Sequence, residues 1–138
     1  MTPDQERGHL TGAGRDCGRV RILAIGQGMY FLATGIWPLL DLCSFERVTG
    51  PKVDRWLVKT VGTQVGAVGA ALMLAARRRR VAPETALLAA GSAAGLAAID
   101  VVYVARCRIR RVYLFDAAAE LGFVVGWAVV GAKGLRNG

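Results

Sequence analysis

The chain has 138 residues, 54% of them hydrophobic, with 18 glycines and a formal net charge of +8. Uncharged runs this long exceed what a water-soluble domain of the same length can bury, so a soluble globule is excluded as the parsimonious reading. Nucleic-acid binding is excluded too, because the arginines gather beside apolar runs, where attraction to anionic lipid headgroups accounts for them.

Between the charged segments lie four apolar stretches, at about 20–40, 56–76, 84–105 and 112–130. Each is close to the ~20 residues that a helix needs to cross a bilayer. The pattern predicts an all-α, polytopic membrane protein with four transmembrane helices in a compact bundle over 20–131. A polar tail, 1–19, precedes it, and a short basic tail, 132–138, follows.

The N-terminal tail is glycine-rich and mixed in charge, without apolar periodicity, and is expected to be mobile. It does not read as a cleavable secretory signal, because a span of full length follows a long charged segment. His9, the only histidine, lies in this tail. The spans therefore lack histidine for a metal site or for a Ser/His or Cys/His nucleophile, and neither metal, cofactor nor catalytic residue is expected.

In the first span Ala24, Gly28 and Gly35 share a face suited to close packing on another helix. Gln27 can hydrogen-bond a neighbour, and Trp37 sits where an interfacial anchor belongs. Pro38 cannot donate to the Thr34 carbonyl, so the helix is expected to bend or stop at headgroup level, with the Thr34 hydroxyl as a local partner. In the connection that follows, 41–55, Ser44 is expected to cap a short turn that lays Phe45 and Val48 into the interface, with Glu46 and Arg47 outward. Thr49 and Gly50 break that turn. Pro51 then starts the second helix, with Asp54 in its first turn.

The second span carries Lys59 on a face with Gly62, Thr63, Gly66 and Ala70. Two readings stand: the lysine snorkels to the headgroups, or it turns inward as a counter-charge. Arg77, Arg78, Arg79 and Arg80 close the span as a topology signal and a contact for anionic headgroups. The third span is small on every face, and Gly91 with Gly95 forms a GxxxG contact motif. On the fourth, Tyr113, Asp116, Glu120, Phe123 and Trp127 make one stripe, with Gly122 and Gly126 nearly opposite on the face expected to pack.

The feature that demands explanation is acid at bilayer depth. Asp100 lies about a turn and a half before Arg106, and Asp116 and Glu120 lie one turn apart on the next helix, so all three occupy one leaflet. An ionised side chain there costs about 3 kcal/mol near the bilayer centre and less near its edges, so such residues face protein or a cavity. Three readings follow. In the first, the protein is a structural or partner-binding bundle whose acids pair with Lys59 and the arginines of 106–111, with homo-oligomer contacts through glycine faces. In the second, Asp100, Asp116 and Glu120, with Lys59 as counter-charge and Trp37 and Tyr103 as walls, bind a small cationic or amphipathic ligand. Carboxyl groups so close together titrate as a unit, which links binding or transport to protons. The third is an acid/base isomerase acting on a lipid-soluble substrate.

Counting Lys and Arg gives ten on the side of the termini and the Arg77–Arg80 loop, against eight on the other, which favours cytoplasmic termini. Cys43 and Cys107 share the opposite face and are read as thiols, with a disulfide as the alternative. The segments YFLATGIWPLLDLCSFERVTGPKVDRWLVKTVG and AIDVVYVARCRIRRVYLFDAAAEL resemble a family of small bacterial four-helix integral membrane proteins. The markers are Trp37, Pro38, the segment from Ser44, and the acids of the last two spans. That resemblance implies the fold and no reaction. A looser analogy of architecture links the chain to four-helix membrane proteins that hold acids in a cavity for sterol-like ligands.

Overall fold

In a computed structural model the backbone is described for residues 3–78 and 81–136, and side chains for 17–78 and 81–133. Five helices follow in order: α1 (Pro3–Leu40), α2 (Leu42–Thr49), α3 (Arg55–Arg77), α4 (Pro83–Ala105) and α5 (Tyr113–Arg136). Within them Cys17–Leu40, Arg55–Arg77, Pro83–Ala105 and Tyr113–Lys133 are long and apolar enough to cross a membrane. The chain is thus an all-α, multi-pass membrane bundle. The backbone is helical from Pro3, so the segment before the first span continues it as one rod. Arg79 and Arg80 lie outside the described residues, so the headgroup contact expected there has its described part in Arg77 and Arg78, both exposed.

The helices associate as two pairs, α1 with α3 and α4 with α5. The first pair is the closer because its contact is backbone on backbone. A Cβ built at Gly35 would stand 2.6 Å from the Gly62 carbonyl oxygen and 2.6 Å from the Gly66 nitrogen. One built at Gly69 would stand 2.8 Å from both the Gly28 oxygen and the Leu32 nitrogen. Small residues permit this approach, and dispersion between the backbones rewards it. The Ala24, Gly28, Gly35 face is the one that packs, all three being buried.

Elsewhere the packing faces differ from those expected. On α3 the buried positions are Gly62, Gly69, Leu72 and Ala76, while Lys59, Thr63 and Ala70 are exposed. Ten residues at ~100° each leave Lys59 about 80° round the helix from Gly69. On α4 an alanine stripe, Ala89, Ala93 and Ala97, faces the bundle. Gly91 and Gly95 are exposed and nothing lies within 4 Å of the Cβ either would carry, so the GxxxG motif makes no contact inside this chain. On α5 the acid and aromatic stripe is itself the buried face, with Ala117, Glu120 and Trp127 inside and Gly122 open.

Pro38 lies inside α1, which runs on to Leu40 with the Asp41 amide donating to the Trp37 carbonyl at 3.0 Å, and the Thr34 hydroxyl donates to the Tyr30 carbonyl at 2.9 Å. The short helix α2 is capped by Asp41 in place of Ser44: the Ser44 amide donates to Asp41 Oδ1 at 3.0 Å. That bond is the main reason the Asp41 carboxyl sits below its ordinary pKa. The Ser44 hydroxyl instead accepts from Trp37 Nε1 at 2.7 Å, and the Trp37 and Phe45 rings meet edge to face. Gly50, at φ 94°, turns the chain out of α2. Residues 51–54 remain outside regular helix, and α3 begins four residues after Pro51, behind Asp54. Glu46 bridges this loop by accepting Arg55 Nε at 3.1 Å and Nη2 at 2.9 Å, which lowers its pKa.

Candidate functional site

The groove between the two helix pairs carries the polar side chains. Deepest is Gln27, fully buried, which donates from Nε2 to the Ala89 carbonyl at 2.8 Å and accepts from Trp127 Nε1 at 2.6 Å. One amide thereby ties α1, α4 and α5 together. Beyond it, towards the termini, Ala24, Leu72, Ala76, Ala89 and Trp127 close the bundle with an apolar plug.

One turn from Gln27 on α1, Tyr30 donates its hydroxyl to Asp116 Oδ1. The Tyr30 ring also packs on Phe123, with centroids 5.7 Å apart. Asp100, on α4, is a buried neighbour of this pair, and carboxylates offer one another only acceptors unless one of them carries a proton. Glu120 lies one turn further in on α5 and is 1% exposed, against 6% for Asp100. No N–H or O–H reaches Glu120 Oε2 or Asp100 Oδ2, although both atoms are buried. Among the described residues, no lysine or arginine forms an ion pair with any of the three acids.

The structure thus brings Asp100, Asp116 and Glu120 together and adds Tyr30, which the sequence reading did not single out. Its signal was available: Gln27, Tyr30 and Thr34 recur at helical spacing on one side of an otherwise apolar span. The three other expected members stand apart. Lys59 is exposed on α3, on the snorkelling side of the two readings. Trp37 is engaged with Ser44 and Phe45 at the end of α1, and Tyr103 is 43% exposed near the end of α4. The lysine that the structure brings to α5, three residues before Asp116 where Tyr113 stands, is Lys52, from the loop before α3. Its ammonium donates to the Tyr113 hydroxyl at 2.8 Å and sits 4.8 Å from the centre of that ring. No periodicity marks a loop lysine, so the sequence carried no sign of it. No family model, curated protein or solved structure matches this chain.

Above the acids, Cys43 and Cys107 are both exposed and are not bonded to each other. No group of three His, Cys, Asp or Glu side chains among the described residues converges as metal ligands do. The polar column runs from Lys52 and Tyr113 at the loop face, through Asp116, Asp100 and Glu120, to Gln27 and Trp127 at the plug. Chemically it offers acceptor oxygens in excess of donors, in a setting where water is scarce.

Proposed function

We propose that the acid cluster is a binding site in which a small organic cation exchanges with a proton, so that the protein serves proton-linked binding or transport of a cationic, amphipathic ligand. The observation that carries this reading is the buried Glu120 Oε2 without a donor, beside the equally unserved Asp100 Oδ2. A buried acceptor left unpaired costs about 1–3 kcal/mol, more when charged, and a protein retains such groups where a proton or ligand will occupy them. A scaffold role for the acids would lead one to expect basic partners. None of the basic residues proposed as partners, Lys59 or the arginines of 106–111, pairs with them.

The test uses the full chain in liposomes with tetraphenylphosphonium as the probe cation and a pH dye in weak buffer. Saturable uptake should release protons, and the isosteric pair Asp116→Asn with Glu120→Gln should abolish both while leaving the melting temperature within a few degrees. Equal uptake and equal proton release by the two proteins would remove the basis of the proposal.

A second reading, a bundle that associates with a further copy, is favoured by one observation: Gly91 and Gly95 present an open, uncontacted GxxxG face to the surroundings. Bulky replacement, Gly91→Leu with Gly95→Leu, should convert an oligomer to a monomer in detergent sedimentation. A monomer from the start would dismiss it.

A further inference from the structure

At the loop face, between the segment after α2 and the α4–α5 connection, lies a cavity of about 510 Å³ that is broadly open to the surroundings. Lys52, Arg108 and Arg110 line it, and no acidic side chain does. Of the acids nearest in sequence, Glu46 holds Arg55 and the Lys52 amide, and Asp54, the N-cap residue of α3, makes no side-chain cap bond and does not line the cavity. The three cations are not neutralised by one another's partners. Lys52 donates to neutral oxygens, the Tyr113 hydroxyl and the Thr49 carbonyl. Arg110 donates to the Arg47 carbonyl at 3.2 Å, again neutral, and no hydrogen bond or ion pair of the Arg108 side chain is formed among the described residues.

Among the described residues Gly50, at φ 94°, and Cys107, at φ 53°, have positive φ, and both line this cavity. Cys107 is left-handed because it ends α4: the Arg108 amide donates to the Tyr103 carbonyl and the Cys107 amide to the Val104 carbonyl, both at 2.9 Å, which fixes the path of the arginine-bearing connection. The rim is apolar where Val53 lines it, 99% exposed, and Trp56, 68% exposed, follows three residues on at the start of the membrane-length helix α3. Aromatic and aliphatic side chains in that position lie among headgroups and upper acyl chains.

We infer that this cavity is a site for a phosphate ester, supplied as the headgroup of an anionic glycerophospholipid, with Lys52, Arg108 and Arg110 as its cationic donors. A fork of guanidinium N–H groups matches phosphate oxygens, and an ammonium adds a point charge to the same anion. The volume is several times what a bare phosphate fills and falls within the range of organic ligand sites, which favours a phosphate with a substituent. The apolar rim favours the lipid over a soluble ester. The site shares Lys52 with the head of the polar column, while Arg108 and Arg110 belong to it alone and its ligand carries the opposite charge.

The test compares phosphatidylglycerol and phosphatidylcholine for retention on the full chain in mixed micelles, by native mass spectrometry. Wild type should retain phosphatidylglycerol at least tenfold better, and Arg108→Gln with Arg110→Gln should erase the preference. The same change at Arg77 and Arg78, on the opposite face, should leave it intact. Loss of preference in both variants would mean diffuse surface attraction and would overturn the site. Glycerol 3-phosphate binding as tightly as the lipid would overturn the lipid as its source. Should the double variant not fold, Cys107 serves as reporter in wild type: phosphatidylglycerol should slow its maleimide labelling several-fold while Cys43 labels at an unchanged rate. Identical Cys107 rates in both lipids would refute the proposal.

Discussion

Replacing Gly35 by alanine adds one methyl group at the tightest point of the α1–α3 contact. That Cβ would stand 2.6 Å from the Gly62 oxygen and 2.6 Å from the Gly66 nitrogen, with the Gly66 Cα at 3.0 Å, all backbone atoms of α3. Real Cβ atoms need about an ångström more, and no side chain can swing aside to provide it, so the helices must separate. Separation also loosens Gly28 against Gly69. Overpacking of a dense core costs about 1–3 kcal/mol, and the rigid neighbours put Gly35→Ala at the upper end, about 2–3 kcal/mol or roughly a 30- to 150-fold loss in the folding equilibrium. At Gly28 the same methyl would meet the Gly69 oxygen at 3.0 Å and Met73 Cγ at 3.0 Å, and the methionine can move, so Gly28→Ala should cost about 1 kcal/mol. Gly91→Ala meets nothing and should stabilise by up to about 1 kcal/mol through helix propensity. Unfolding in mixed micelles with increasing SDS, followed by circular dichroism, orders the three. A Gly35→Ala protein as stable as Gly91→Ala, or a Gly28→Ala protein as damaged as Gly35→Ala, would refute the backbone-contact reasoning.

Gln27→Leu removes both hydrogen bonds of the buried amide and leaves Trp127 Nε1 without an acceptor. The expected loss is about 1–2 kcal/mol, read by the same SDS titration, with a change in tryptophan emission that Gln27→Glu does not reproduce. In the loop, Glu46 is held below its ordinary pKa by the Arg55 guanidinium, and Asp41 by the Ser44 amide. Groups lowered by folding contribute stability above their unfolded pKa, near 4, and lose it as pH falls through the folded value. The melting temperature should therefore decline below about pH 4, and Glu46→Gln should be less stable than wild type at pH 7 while showing a smaller decline. A Glu46→Gln curve parallel to wild type from pH 7 to 3 would count against it.

How much of this was written in the residues depends on the kind of signal. Span length was legible because hydrophobic length is a local fact, and α1 ends two residues after Pro38, close to where a bend or stop was expected. Legible too was the Ala24, Gly28, Gly35 face, whose small residues recur at helical spacing. Which side of a uniformly small helix meets its neighbour is not local: α4 could present either its glycines or its alanines, and the alanines face inward. For the acids, shared depth followed from counting residues between the spans and the turn that joins them. Lys59 looked like their counter-charge on the same criterion, but depth says nothing about azimuth, and it lies outside the contact with α1. Tyr30 was readable by its spacing from Gln27. Lys52 was not, since its place beside Tyr113 depends on a loop path set by Gly50 and Pro51.

Among the described residues, the side-chain hydrogen bonds that cross from the α1–α3 half to the α4–α5 half are five: Arg110 to the Arg47 carbonyl, Lys52 to Tyr113, Tyr30 to Asp116, Trp127 to Gln27, and Gln27 to the Ala89 carbonyl. They lie in a single file from the loop face inward, whereas the α1–α3 half is joined along its length by backbone contact. The two halves are thus fastened to each other like a zip, by a row of single polar teeth that ends at the apolar plug.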